Sequence, residues 1–170
     1  NVLVKNLATH TSGITDFNDC PKKMLPITKY ENIVGFESRK IVSKILLGEP
    51  AHYKPGSKFK YSNIGYGILA GIVEKYTGED YTNIVEKYIF KPLGMKNSFV
   101  FDYEKHHDTV SQTYKSNRLR LAFDHLDLVY GDKNIYSTAR DLLKFDLATY
   151  SDNFFSEKLK KEIFKGYSYE

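Results

Sequence analysis

The stretch 63–76 constrains the fold more than any other part of the chain. It reads Asn-Ile-Gly-Tyr-Gly-Ile-Leu-Ala-Gly-Ile-Val-Glu-Lys-Tyr and is closed by Gly78. Its apolar residues Ile64, Ile68, Leu69, Ala70, Ile72 and Val73 fall on nearly every side of a helix, the pattern of a helix buried centrally. Gly65, Gly67 and Gly71 each cost about 1 kcal/mol relative to alanine in a helix interior. Three of them so close together are expected where another element packs tightly against the first half of the helix.

The other patterns are also mainly helical. A short helix is expected over 2–10, with Val4, Leu7 and Ala8 on one face and Thr11-Ser12-Gly13 as its stop. Residues 17–35 contain Cys20-Pro21 and Leu25-Pro26 and read as an irregular loop, and 37–47 as a helix with Ile41, Val42, Ile45 and Leu46 inward. Lys54-Pro55-Gly56 reads as a turn before a short extended piece. Asp80 is the expected cap of a helix over 81–90 that carries Ile84, Val85, Tyr88 and Ile89 inward and stops at Pro92. Short strands are expected over 110–114 and 119–123. Thr138 with Asp141 resembles a capping box for a helix to Tyr150, whose buried face would be Ala139, Leu142, Leu143, Leu147 and Tyr150. Ser156 is the expected cap of a last, basic helix over 157–165. The fold class is therefore expected to be mainly α, with loops longer than an isolated compact domain normally uses.

Composition removes several function classes. Lys and Arg number 25 against 21 Asp and Glu, a net charge of +4, which is mild for a nucleic-acid binder. The longest run of apolar residues and glycine, 67–73, falls far short of the roughly 18 residues of a membrane span. The lone Cys20 excludes an internal disulfide and a multi-cysteine zinc site. His10, His52, His106, His107 and His125 form neither H-x-x-x-H nor H-E-x-x-H, so a histidine metal hydrolase is the weakest of the enzyme readings. No G-K-[ST] follows Gly65 and Gly67, and no cofactor or metal is expected.

Nucleophile motifs are sparse. G-x-S-x-G is absent. Ser57-Lys58-Phe59-Lys60 matches S-x-x-K, in which the lysine sits one helical turn after the serine and takes its proton. Here the match follows Pro55-Gly56 in a segment that reads as extended, where Ser57 and Lys60 would face opposite ways. Ser57 is not expected to act as the nucleophile.

Four segments carry a family resemblance. Pro55-Gly56-Ser57-Lys58-Phe59-Lys60-Tyr61-Ser62-Asn63-Ile64-Gly65-Tyr66 resembles the P-G-x-x-F-x-Y-S-N-x-G-Y signature of the β-lactamase-related serine hydrolases. That family includes class C β-lactamases, D-alanyl-D-alanine peptidases of the penicillin-binding-protein type and related esterases. Leu7 to Ile14 resembles its L-L-T-H-T-S-G-L, Ile89 to Met95 its I-F-x-P-L-G-M, and Gly131 to Leu142 its G-x-G-G-L-Y-S-T-A-x-D-L. The four occur in the family's order and span nearly the whole chain.

The resemblance implies a serine hydrolase that forms an acyl-enzyme on an amide, β-lactam or ester bond, with a small-molecule or peptide substrate. It implies a catalytic and substrate-binding role for Tyr61, which relays the nucleophile's proton, and for Asn63, which donates to the substrate's amide carbonyl and helps position the nucleophile's lysine. A free tyrosine titrates near pH 10, so proton transfer at neutral pH calls for positive charge nearby. The family supplies it with the S-x-x-K lysine and a K-T-G or H-x-G strand, which lie upstream and downstream of the segments matched here. Lys75-Tyr76-Thr77-Gly78 is not a K-T-G. Residues 1–170 are accordingly expected to be the partial, middle part of the domain, inactive alone. They would form the helical lobe of the α/β serine β-lactamase/transpeptidase-like fold, with most of the sheet absent from this chain. A cell-envelope location is implied by the resemblance only. His10-Thr11-Ser12-Gly13 is expected to be a helix stop and Ser62 a cap. A different class of function, a non-catalytic helical binding module acting through Lys158, Lys160, Lys161 and Lys165, competes with a plain solvated helix face for those lysines.

Overall fold

The computed structural model describes residues 1–16, 51–123 and 129–166. The loop expected over 17–35 and the helix expected over 37–47 lie outside the described residues. In chain order the elements are α1 (Val4–Ala8), α2 (Asn63–Thr77), α3 (Tyr81–Val85), a π-turn (Glu86–Phe90) continuing α3, β1 (Phe99–Val100), α4 (Tyr103–His106), β2 (Tyr114–Ser116), β3 (Leu119–Arg120), β4 (Ile135–Tyr136), α5 (Ala139–Tyr150) and α6 (Glu157–Ile163). The strands pair antiparallel as β1 with β4 and β2 with β3. The strand expected over 110–114 begins only at Tyr114, because Thr109 and Val110 are still bonded back to His106 at the end of α4.

Helix α2 forms where the sequence places it. Ser62 caps it, its Oγ accepting the Gly65 N–H at 3.2 Å, and Gly78 ends it with φ +73°. Ile64 is fully buried, worth about 2–3 kcal/mol of apolar transfer. The helix is not central, however. Ile72 and Val73 are exposed, and Tyr76 is 91% exposed. The close approach is confined to its first half: a Cβ on Gly65 would stand 3.4 Å from the Leu7 carbonyl oxygen, whereas Gly71 meets nothing within 4 Å. A second close contact comes from outside the helix. Gly131, at φ +102°, lies so near that a Cβ there would stand 2.6 Å from the Tyr66 carbonyl oxygen.

The core is Val85, Phe90, Met95 and Val100, with Tyr81, Ile89, Leu93, Tyr130 and Phe145 packed around it. Val85 and Phe90 are five residues apart, and the π-turn is what turns both into the core. The same change of phase sends Tyr88, expected inward at helical spacing, to the surface. The turn after Pro92 then seats Met95 in that core.

Helix α5 starts as expected, Thr138 Oγ1 accepting the Asp141 N–H at 3.3 Å. Its expected inner face is open to solvent instead: Leu142, Leu143, Leu147 and Tyr150 are 55–67% exposed. The buried residues are Asp141 and Ala148. The Asp141 carboxylate does not complete a capping box. It accepts the Asn97 N–H at 2.7 Å and the Ser98 hydroxyl at 3.1 Å, and it pairs with Lys144 at 2.6 Å. Those bonds, with the Lys144 hydrogen bond first, hold the Asp141 carboxyl below the usual carboxylate range. This one side chain fixes α5 to the turn after Pro92. Asn134, in the segment leading into β4, takes φ +70°, a left-handed conformation that asparagine tolerates better than most side chains.

Candidate active site

Tyr61 and Asn63 come together at the head of α2. Ser62 begins the helix with extended backbone, which sends the side chains on either side of it into reach of each other. The Tyr61 hydroxyl donates to Asn63 Oδ1 at 3.0 Å. Tyr61 is 59% exposed and Asn63 is half-buried, so the phenol stands at the surface with the amide beneath it.

The segment 9–16 builds the seat for this pair. Helix α1 ends at Ala8, and Thr9 is its cap, so His10-Thr11-Ser12-Gly13 lies beyond the helix and is more than its stop. Backbone bonds run from Lys60 N to His10 O at 2.9 Å, from Gly56 N to Thr11 O at 2.8 Å and from His52 N to Gly13 O at 2.8 Å. Gly13 has φ +77°, and a Cβ there would stand 2.3 Å from the Tyr53 carbonyl oxygen, so no other residue fits without moving that backbone. Thr11, Ser12, Thr15 and Asp16 are all buried. Their side chains stay hydrogen-bonded there: Asn6 Nδ2 donates to Thr11 Oγ1 at 3.2 Å, and Thr15 Oγ1 is 3.0 Å from His52 Nε2.

Two residues of this seat touch the pair directly, and neither was assigned to the site from the sequence. His10, at φ +56°, accepts the Ser62 N–H through Nδ1 at 3.2 Å. A neutral His10 therefore carries its proton on Nε2. Its ring lies 4.5 Å from the Tyr61 ring, 5.2 Å from that of Tyr66 and 5.7 Å from that of Phe59. Asp16, 4% exposed, accepts the Asn63 side-chain amide through Oδ2 at 3.2 Å and the Ile64 N–H through Oδ1 at 3.1 Å. Placing a carboxylate on the first N–H groups of α2 suits the positive end of the helix dipole. The signal for both residues was the nearness of H-T-S-G-x-x-D to the Y-S-N segment in space, which spacing along the chain does not carry.

Other candidate residues sit apart. Ser57 and Lys60 lie in a turn and the irregular chain after it, with no helix to stack the lysine under the serine. His106 and His107 belong to the end of α4, where His107 pairs with Asp108. Lys160 of the basic helix folds back on Tyr150 O, Asp152 and Glu157. Two cavities of about 440 and 550 Å³ flank α3 and β1, and neither is lined by Tyr61 or Asn63. Among the described residues no group of three or more His, Cys, Asp or Glu side chains is placed to hold a metal ion, and no helix is long and apolar enough to cross a membrane.

The family profile described as Beta-lactamase matches residues 1–166. The chain belongs to the beta-lactamase family. Within that family it is 28% identical to penicillin-binding protein 4* of Bacillus subtilis (strain 168), over 96% of this chain and 39% of that protein. It is 25% identical to the D-alanyl-D-alanine-carboxypeptidase/endopeptidase AmpH of Escherichia coli (strain K12), over 91% of this chain and 38% of that one. Among solved structures, a D-amino acid amidase from Ochrobactrum anthropi SV3 matches with a TM-score of 0.74 and 26% identity, over 94% of this chain and 46% of its own. A penicillin-binding protein from Bacillus halodurans matches in fold with a TM-score of 0.76 at 22% identity, over 97% and 51%. The chain thus spans about two fifths of the length of these two curated relatives, and its elements belong to the β-lactamase/transpeptidase fold.

Proposed function

We propose that these residues supply the Y-S-N segment of a serine hydrolase that works through an acyl-enzyme on an amide, β-lactam or ester bond. The observation that supports it is the hydrogen-bonded Tyr61–Asn63 pair at the head of α2, with the phenol open to solvent and the amide held from below. In this role Tyr61 relays the proton of the nucleophilic serine. Asn63 uses one amide hydrogen on Asp16 and keeps the other for the carbonyl of a small-molecule or peptide substrate. The nucleophile and its lysine, and the strand that completes the oxyanion hole, would come from polypeptide outside these 170 residues. The chain would then be a helical lobe that is inactive alone and works in the cell envelope.

The test is acylation. The 170-residue chain is expected to hydrolyse neither a chromogenic cephalosporin nor a p-nitrophenyl ester, and to resist labelling by a fluorescent penicillin. A polypeptide that joins these residues to an S-x-x-K segment and a K-T-G or H-x-G strand is expected to label. Tyr61→Phe in it should slow labelling at least ~100-fold, the usual scale for general acid–base catalysis. Labelling of the 170-residue chain at Ser57 would overturn the proposal.

A further inference from the structure

The Tyr61–Asn63 bond has a direction, and Asp16 sets it. A carboxylate accepts hydrogen bonds and cannot donate one. Asp16 is buried against Asn63, so only the NH2 side of the Asn63 amide can face it. The carbonyl side must then face Tyr61, and the Tyr61 hydroxyl must be the donor. Its acceptor lone pairs are left to the exposed side of the ring. The second carboxylate oxygen, on the Ile64 N–H, stops Asp16 from turning away. Without this anchor an asparagine amide can rotate by half a turn at little cost, which would present NH2 to Tyr61 and reverse the bond.

We infer that Asp16 is a positioning residue for the Tyr61–Asn63 pair, fixing the amide orientation that makes Tyr61 a donor inward and an acceptor outward. The consequence for chemistry rests on the proposed hydrolase role. A hydroxyl or ammonium group arriving at the open side of Tyr61 meets an acceptor. Asn63 meanwhile keeps its second amide hydrogen for a carbonyl group. Asp16 touches neither arriving group and acts only through Asn63.

The test uses the 170-residue chain and nuclear magnetic resonance, with tyrosine labelled at the ring carbon bearing the hydroxyl and asparagine labelled at the side-chain nitrogen. Asp16→Ala removes both acceptors, the one on the Asn63 amide and the one on the Ile64 N–H. It is expected to shift the Asn63 side-chain signal and the Tyr61 ring-carbon signal together. It should also make exchange of the Ile64 amide about tenfold faster, the effect of one lost hydrogen bond, while amides in the last turns of α2 keep their rates. A merely structural role would loosen all of α2 alike and leave the Tyr61 signal in place. Unchanged Asn63 and Tyr61 signals in a folded Asp16→Ala chain would overturn the inference. Should that variant fail to fold, Asp16→Asn decides, since its single oxygen must release one of the two donors: an Asn63 shift carried to Tyr61, or faster Ile64 exchange with both signals in place, supports the clamp, and an Asn63 shift with Tyr61 unmoved, or no change at all, overturns it. No reaction enters these measurements, so a failure of the acylation test and a failure of the clamp are separate outcomes.

Discussion

Glu74, near the end of α2, caps the helix that follows its own: its Oε1 accepts the Tyr81 N–H at 2.9 Å. Asp80 stands at the cap position of α3 and makes no side-chain cap bond there. The same Glu74 oxygen accepts the Tyr130 hydroxyl at 2.9 Å, and the Tyr130 ring stacks on Tyr81 at 5.0 Å. One buried carboxylate thus joins α2, α3 and the chain leading to β4. Glu74→Ala is expected to lower stability by about 3 kcal/mol in urea denaturation, since it leaves two donors without their charged acceptor. Asp80→Ala should cost well under half of that, and equal costs would contradict the assignment of the cap to Glu74.

Asp132 gives a prediction with a pH signature. Its side chain is 2% exposed, and its ion pair with Lys133 is long at 3.4 Å. Burial pushes its carboxyl above the usual carboxylate range, Lys133 draws it partly back, and Asp16 pushes it further up. The unfolded carboxyl loses its proton near pH 4, the folded one at higher pH. Above about pH 4 the unfolded chain therefore binds fewer protons than the folded one, and through this group stability falls as pH rises. Asp132→Asn is expected to raise Tm by roughly 3 °C at pH 7, with the gain fading below about pH 4. Thermal scans at both pH values check it, and a gain of equal size at low pH would rule out the carboxylate as its source.

His10 holds its place through two separate features, its ring and its left-handed backbone. His10→Ala leaves the Ser62 N–H without its acceptor on a residue 3% exposed and removes the ring beside Tyr61. A loss of about 2 kcal/mol in urea denaturation is expected. His10→Asn should lose less, because asparagine accepts φ +56° more readily than alanine does.

Much of this was legible in the chain, and the misses have physical causes. The start of α2 at Asn63, its cap Ser62 and its end at Gly78 follow from local chemistry, as do the Thr138 and Ser156 caps. Tyr88 faces solvent because a π-turn breaks the helical spacing that would turn it inward. The cap of α3 was assigned to Asp80 because a side chain seven residues before Tyr81 is invisible to a local rule. For the candidate site, the Y-S-N segment points to Tyr61 and Asn63, which the structure brings together. Asp16 stayed hidden, since nothing between it and Asn63 along the sequence says that the two meet.

The apolar stripe of α5 is the clearest departure, and it can be tested. Leu142, Leu143, Leu147 and Tyr150 have the spacing of a buried face yet lie open, with Phe164 stacked on Tyr150 at 5.9 Å. A surface of that kind binds environment-sensitive dyes. The 170-residue chain is expected to enhance anilinonaphthalene sulfonate fluorescence while keeping its helical circular dichroism. Leu142→Gln with Leu147→Gln should remove most of the enhancement with little loss of stability. A large loss of stability would mean that the face is covered.

The meeting of Asp16 with Asn63 also bears on the order in which the molecule assembles. The two are 47 positions apart, and closing a loop of that length costs about 3 kcal/mol of chain entropy. The bonds within α2 close over four residues and carry no such cost. Helix α2 therefore forms early, while the clasp at its head waits for the chain to return. Late contacts are also the first to be lost. The head of α2 is where native-state opening should begin, with the helix behind it still intact.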